Sequence, residues 1–178
     1  EAWAARASDL RHVSAHPPET FAQALQLCWA AQIFLHAENN GAAISFGRLD
    51  QYLWPFLRAD LAADRLDWQT AFDLVCSFCL LCCEGDESQN LTLGGMDEDG
   101  ADQTCPLSLL FLAAVKSLGA WLPSLSLRIH PGSDDAFVRA GTELAAAGLG
   151  QRGCVNDRAA SPAPEAAGIP RSRAVDYG

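Results

Sequence analysis

Four cysteines lie close together in the pattern Cys76-x-x-Cys79-x-x-Cys82-Cys83. Thiolates at such spacings can hold zinc or an iron–sulfur cluster, so a metal centre is one interpretation. The other is a helix in which Cys76, Cys79 and Cys83 share a buried face, where a free cysteine behaves as a small hydrophobic residue. No histidine-rich stretch or second Cys-x-x-Cys pair follows, which favours the helix. We therefore predict that the chain binds no metal.

Two further stretches have the composition of a ligand-binding loop. The segment 39–43 is a polar turn that leads into Ala42 and Ala43, and small residues let a backbone approach a ligand or a neighbouring element closely. Tight packing of this turn is the alternative interpretation. The acidic stretch from Gly94 to Asp102 has some features of a calcium loop but lacks the glutamate that closes an EF-hand. It is predicted to be a solvated loop rich in turns.

Helices dominate the elements that must position these residues. Apolar spacing, caps and glycine stops predict five helices. Gln32 breaks the apolar spacing of the first, and Pro55 is expected to kink or break the second at Trp54. Short strands between long helices indicate an α/β fold, with no domain boundary inside the chain. The predicted helices are 21–37, 49–61, 68–83, 104–118 and 135–148, and the predicted strands are 91–93, 125–130 and 154–155.

The composition argues against several classes of function. The 178 residues, 49% hydrophobic and 19% charged, have the balance of a folded globular domain. The net charge of −10 opposes binding to the phosphates of nucleic acids. The longest apolar stretches are too short to span a bilayer, and no signal segment opens the chain. We therefore expect a cytoplasmic protein that binds neither nucleic acid nor membrane.

Five blocks of sequence, in order, resemble those of glycyl radical enzymes of the pyruvate formate-lyase-like superfamily. Each block by itself is weakly specific, but their shared order over almost the whole chain is specific. The blocks are 17–26 (PPETFAQALQ), 40–52 (NGAAISFGRLDQY), 89–102 (QNLTLGGMDEDGAD), 123–130 (PSLSLRIH), and a last group of Asn156-Asp157, Gly168-Ile169 and Asp176-Tyr177-Gly178.

The resemblance implies a fold and a chemistry. The fold is α/β, a ten-stranded barrel wrapped by helices, of which residues 1–178 would be a single, helix-rich internal fragment cut at both ends. One central loop of the barrel would carry a catalytic cysteine and another a radical glycine. Both would lie beyond Gly178, so the resemblance assigns no catalytic residue here and implies that the chain alone is inactive. The chain would bind no cofactor, because a separate activating enzyme using S-adenosylmethionine and an iron–sulfur cluster would install the glycyl radical.

The resemblance also implies a substrate pocket. Diol dehydratases of the family have His-Ser where this chain has Ala42 and Ala43, and alanines cannot hold a substrate hydroxyl. A compact apolar group, such as a methyl, is therefore expected beside them. The residues after Ala43 look like pyruvate formate-lyase, whereas 50–52 and 89–92 look like the dehydratase and lyase branch. The implied pocket residues are Ala42, Ala43, Ser45, Gln89, Asn90, Asn156 and Asp157.

Two features depart from the family pattern. Arg158 follows Asn156-Asp157 where relatives have an acidic residue. The stretch 161–164, Ser-Pro-Ala-Pro, replaces an apolar helical segment. Pro164 would cost roughly 3 kcal/mol inside a helix, so this stretch is expected to be either rearranged or degraded.

The implied function is cleavage of a C–C, C–O or C–N bond of a small substrate by thiyl radical chemistry. It could be of the formate acetyltransferase type or of the dehydratase and lyase type. The full-length enzyme would serve anaerobic metabolism as a homodimer, with the activating enzyme as its partner. The alternative is a truncated, non-catalytic homologue that acts as a structural or partner-binding protein. A complete reading frame without the radical glycine motif would favour that alternative.

Overall fold

The computed structural model describes residues 2–38, 44–84, 89–150, 153–160 and 162–175. Helices make up most of this part of the chain, together with one small sheet, and the α/β class is confirmed. None of the helices in these ranges has the length and apolar character that crossing a membrane requires. The elements are α1 (Ala2–Val13), α2 (Phe21–Glu38), α3 (Leu49–Ala62), α4 (Trp68–Leu81), β1 (Asn90–Gly94), α5 (Pro106–Leu118), β2 (Ser124–Ile129), α6 (Asp135–Ala146), β3 (Gly153–Asn156), α7 (Asp157–Ala160), α8 (Pro162–Ala166) and α9 (Arg171–Ala174).

The three strands form a parallel sheet in the order β1-β2-β3. Parallel neighbours need a crossover connection, and α5 and α6 supply the two crossovers. A parallel bridge between Ser45 and Asn90 adds the segment before α3 to the free side of β1. The carboxyl ends of all three strands therefore lie at one edge of the sheet.

The sheet has one apolar face and one polar face, because successive side chains of a strand point to opposite sides. The apolar face packs in the main core and carries Leu91, Leu93, Leu125 and Leu127, each at most 2% exposed. Parallel sheets are usually apolar on both faces, so the alternation in this sheet is unusual. The residues that share the polar face, as the term is used below, are Asn90, Thr92, Ser124, Ser126 and Arg128.

The five predicted helices are confirmed as α2 to α6, with each end within two residues of its predicted position. Of the kink or break predicted at Trp54, the break does not occur, because α3 continues through Pro55 to Ala62. Proline removes one backbone hydrogen bond from the helix. Leu53 and Leu57, on either side of it, are at most 1% exposed, and their burial outweighs that loss.

Residues 162–164 of the proline-rich stretch that departs from the family pattern lie in the short helix α8. Pro162 is the first residue of this helix and Pro164 is the third. Backbone N–H groups in the first turn have no acceptor within the helix, so proline loses no hydrogen bond there. The penalty expected for Pro164 inside a helix therefore does not apply.

Candidate functional site

The cysteine cluster lies in α4 and immediately after it, packed towards the core. Cys79 and Cys82 are at most 1% exposed, and Cys76 and Cys83 are half-buried. Burial raises the pKa of the Cys79 and Cys82 thiols because it disfavours the thiolate. Within the described ranges, no group of three or more histidine, cysteine, aspartate or glutamate side chains could hold a metal ion.

We expect anaerobically purified protein to contain neither zinc nor iron in stoichiometric amounts, because buried, protonated thiols are poor metal ligands. Metal analysis of the wild type, of Cys79→Ser and of Cys154→Ser checks this prediction. Cys154 is exposed and serves as the control. Stoichiometric metal that is lost in Cys79→Ser and kept in Cys154→Ser would contradict it.

The acidic loop after β1 uses its central carboxylate to hold its own backbone. The Oδ1 of Asp97 accepts hydrogen bonds from the backbone N–H groups of Asp99 and Ala101, at 3.0 and 2.8 Å. Its Oδ2 accepts from the Gln103 side chain at 2.9 Å. The predicted loop rich in turns is confirmed, and this carboxylate is engaged within the loop.

Two of the expected pocket residues, Ser45 and Asn90, lie side by side on the sheet. The Ser45 hydroxyl is 3.4 Å from the Oδ1 of Asn90. The Nδ2 of Asn90 donates to the hydroxyl of Ser126 on the neighbouring strand, at 3.0 Å. The three side chains form a row across the amino-terminal part of the polar face. The expected pocket residues Ala42 and Ala43 lie outside the described residues.

Gln89 lies on the opposite side of β1 from Asn90. It is 6% exposed, and its Oε1 accepts from the Nε2 of Gln32 on α2, at 2.5 Å. Its own Nε2 is 3.2 Å from the Nε2 of His36, also on α2. The Gln89 side chain thus joins the start of β1 to α2, whereas the Asn90 side chain lies on the polar face. That both residues line the substrate pocket of the complete enzyme stays a prediction.

The side chains of Asn156, at the end of β3, and of Asp157, at the start of α7, have different surroundings. Asn156 is exposed, and its Oδ1 accepts from the backbone N–H of Arg158 at 3.1 Å. Asp157 is fully buried and binds the guanidinium of Arg128 through both carboxylate oxygens, at 2.9 and 3.0 Å. Asn156 thus stabilises the start of α7, whereas Asp157 holds the side chain of Arg128, a residue of the polar face.

The polar face contains four residues that the sequence-based pocket does not include: Thr92, Ser124, Ser126 and Arg128. The register pairs Asn90 with Ser124 and Thr92 with Ser126, so four polar side chains are neighbours. Both strands alternate leucine with polar residues. Two alternating strands that pair in this register must present their polar residues together, and this pattern is the signal that could have located the patch.

The polar face presents uncharged groups to its surroundings. Asn90, Ser124 and Ser126 are half-buried, and Thr92 is 2% exposed. Arg128 shares the face, but it is fully buried and paired with Asp157. Hydroxyl and amide groups can both donate and accept hydrogen bonds. This arrangement can orient a small polar group, such as a hydroxyl, without supplying a strong base or nucleophile.

The carboxyl end of β1 is fixed by Asp50 of α3, which is fully buried. Its Oδ2 accepts from the backbone N–H of Gly94 at 2.8 Å and from the Ser108 hydroxyl at 2.5 Å. Burial raises the pKa of Asp50, and these two donors oppose the rise. This aspartate therefore has a positional role, because it attaches the end of β1 to α3 and α5.

Comparison with known proteins agrees with the resemblance of the sequence blocks. A family model described as pyruvate formate lyase-like matches residues 6–178. The chain is 35% identical to the probable dehydratase YbiW of Escherichia coli (strain K12), over 93% of this chain and 23% of that protein. It is 30% identical to an isethionate sulfite-lyase of Nitratidesulfovibrio vulgaris, over 93% of this chain and 22% of that protein.

A solved structure has the same fold. The crystal structure of a glycyl radical enzyme from Archaeoglobus fulgidus matches with a TM-score of 0.89 and 33% identity, over 96% of this chain and 24% of that one. The chain spans about a quarter of the length of these relatives. Its fold is accordingly a helix-rich part of a glycyl radical enzyme barrel. Because the family model matches nearly every residue, the chain belongs to the pyruvate formate lyase-like family of glycyl radical enzymes.

Proposed function

We propose that this chain forms one wall of the substrate space in a glycyl radical enzyme of the dehydratase or lyase type. The complete enzyme cleaves a C–C, C–O or C–N bond of a small substrate. The names of the relatives, a dehydratase and a sulfite-lyase, support this type over an acyltransferase. We further propose that residues 1–178 are one internal part of the barrel domain, and that the complete enzyme is a cytoplasmic homodimer.

The observation that carries the proposal is a polar face on a sheet whose other face is packed in the core. In a barrel wall with helices outside, the sheet face opposite the one packed in the helical core points inwards. Asn90 and Ser126 lie on that face, half-buried and joined by a 3.0 Å hydrogen bond. Their hydroxyl and amide groups support the binding of a small molecule that carries a hydroxyl.

The residues of this chain bind and orient the substrate in the proposed enzyme. The glycyl radical, installed by an activating enzyme that uses S-adenosylmethionine and an iron–sulfur cluster, supplies hydrogen-atom abstraction through a cysteine. Neither the radical glycine nor that cysteine is assigned to residues 1–178, and the chain alone is proposed to have no turnover. Ser45 and Asn90 are proposed to contact the polar part of the substrate. Ala42 and Ala43 are proposed to contact a compact apolar group.

Electron paramagnetic resonance of the complete protein tests the enzyme assignment. After anaerobic activation by its activating enzyme, the wild type is expected to show the signal of a glycyl radical. A complete protein that lacks the radical glycine motif and gives no signal would instead be the non-catalytic homologue.

Ser126→Ala in the complete enzyme is expected to lower kcat/KM about 10- to 100-fold, because an unpaired polar group costs roughly 1–3 kcal/mol. Isethionate, glycerol and propane-1,2-diol are the probe substrates, and the rate is measured on the one that the wild type converts fastest. Ser77→Ala is the control, since Ser77 is exposed on α4 and donates to the carbonyl of Asp73.

Two results would contradict the proposal that this chain lines the substrate space. Equal kcat/KM for Ser126→Ala and Ser77→Ala would show that Ser126 does not contact the substrate. Fastest turnover of glycerol or propane-1,2-diol would contradict the apolar contact assigned to Ala42 and Ala43, because alanine leaves a second hydroxyl without a partner.

A further inference from the structure

Four segments of the chain meet at one buried ion pair, at the carboxyl edge of the sheet. Arg128, near the end of β2, donates from Nε to the Oδ1 of Asp157 at 2.9 Å, and from Nη2 to Oδ2 at 3.0 Å. Both side chains have 0% exposure. The same Nη2 donates to the backbone carbonyl of Val175 at 2.6 Å, and the Oδ2 of Asp157 accepts from the N–H of Met96 at 2.9 Å. The pair thus joins β2, α7, the turn after β1 and the residue after α9.

We infer that Arg128 is a positioning residue: together with Asp157 it fixes the chain at Val175 and directs the segment that follows relative to the polar face. This inference rests on the proposed function, because the path of that segment affects turnover only if it helps to place the reacting groups of the enzyme. Arg128 and Asp157 are fully buried and do not reach the substrate space. Their contribution is made through the backbone.

A contribution to stability alone does not account for this pair. Taking two charges out of water costs several kcal/mol per ion, and apolar residues of similar volume are often equally stabilising. Apolar side chains, however, would not hold the Val175 carbonyl at a defined angle. A planar guanidinium presents its donors in a fixed fork, which here serves both carboxylate oxygens of Asp157 and the Val175 carbonyl. The carbonyl is therefore held in both distance and angle.

The surroundings of the pair leave the guanidinium little room to move. A Cβ added at Gly95 would lie 2.9 Å from the Cζ of Arg128 and 3.1 Å from the Oδ2 of Asp157. On the other side, Ala174 and Val175 are 1% and 3% exposed. The side chain of Val175 is thus buried while its carbonyl is bound, so this residue is fixed at both its side chain and its backbone. A displacement of about 1 Å at a reacting group can lower a rate about 100-fold, which makes this fixed position important.

The test compares the complete wild-type protein with Arg128→Lys and with Arg139→Lys. Arg139 is an exposed arginine of α6, so the second variant is the matched control. Lysine keeps the positive charge beside Asp157 but offers one nitrogen in place of the fork. In Arg128→Lys, hydrogen–deuterium exchange in peptides spanning 171–178 is expected to be about tenfold faster, with peptides of β1 and α5 unchanged, because only a local unit opens. Arg139→Lys is expected to match the wild type.

Activity gives the second measurement, on the probe among isethionate, glycerol and propane-1,2-diol that the wild type converts fastest. In Arg128→Lys, kcat is expected to fall about 10- to 100-fold while KM stays within about twofold, since the substrate contacts are intact and the placement of the reacting groups is not. The glycyl radical content after activation is expected to equal that of the wild type.

Two outcomes overturn the inference. One is an unchanged exchange rate at 171–178 in Arg128→Lys. The other is an equal rise in the exchange rate of peptides from β1 and α5, which would indicate general destabilisation. Asp157→Asn keeps the side-chain shape and an acceptor for Met96, and it is measured in the same way if the lysine variant does not fold. A wild type without a radical signal overturns the proposed function instead, and the exchange rates at 171–178 then decide the structural role of Arg128 by themselves.

Discussion

Asp157→Ala is expected to lower the free energy of unfolding of this chain by about 3–5 kcal/mol, because it leaves the buried guanidinium of Arg128 without this carboxylate. The backbone N–H of Met96 loses its acceptor in the same variant. Urea unfolding followed by circular dichroism measures the loss.

The control for this variant is Glu143→Ala. Glu143 pairs with Lys116 at 2.8 Å, but the two side chains are 52% and 58% exposed. Ion pairs in water contribute little to stability, so this variant is expected to unfold at nearly the wild-type urea concentration. Equal losses for Asp157→Ala and Glu143→Ala would show that the buried pair adds nothing beyond a surface pair.

Gly95→Ala is expected to cost about 2–5 kcal/mol, the sum of roughly 1–2 for a side chain at positive φ and roughly 1–3 for overpacking. Its φ is +99°, and an added Cβ would meet Arg128 at 2.9 Å. Gly100→Ala is the matched control, since its φ is +82° and nothing lies within 4 Å of an added Cβ. We expect it to cost only about 1–2 kcal/mol for its backbone conformation.

Urea unfolding of the two glycine variants gives the comparison directly. Both alanines require a similar left-handed backbone, so the difference between the two losses reports the contact of residue 95 with the ion pair. If Gly100→Ala destabilises the chain as much as Gly95→Ala does, the turn after β1 does not pack tightly against Arg128.

The elements predicted correctly from the sequence are those with local signals. Asp67 precedes α4 and accepts from the N–H of Thr70, and Gly119 ends α5 with a φ of +61°. Such caps and stops lie within a few residues of the helix that they limit, so the sequence contains them. The continuation of α3 through Pro55 was not predictable in this way, because it depends on the burial of Leu53 and Leu57 among other elements.

The candidate site was harder to predict because its contacts join distant positions. Gln32 interrupts an apolar helix pattern, and its partner Gln89 lies 57 residues further along the chain. Arg128 occupies a polar position of an alternating strand, and this pattern predicts an exposed side chain. The side chain is nevertheless fully buried, and it pairs with Asp157, which lies 29 residues further along the chain. The resemblance implies that Ser45, Gln89, Asn90 and Asn156 belong to one pocket, but the sequence does not contain the contacts that the fold creates, such as Ser45 beside Asn90 and Gln89 beside Gln32.

The register of the sheet arranges the polar face in levels of different depth. Parallel strands rise about 3.3 Å per residue, so alternate residues lie about 6.6 Å apart along the strand axis. In the proposed enzyme, a substrate group at the first level would meet the amide of Asn90 and the hydroxyl of Ser124, and one at the second level would meet the hydroxyl of Ser126, because Thr92 is buried. A group at the third level would lie beside Gly94, next to the buried guanidinium of Arg128. Substitutions confined to one level could therefore move the recognised group along the strand axis while the outer helices stay as they are. The three levels are Asn90 with Ser124, Thr92 with Ser126 and Gly153, and Gly94 with Arg128 and Val155.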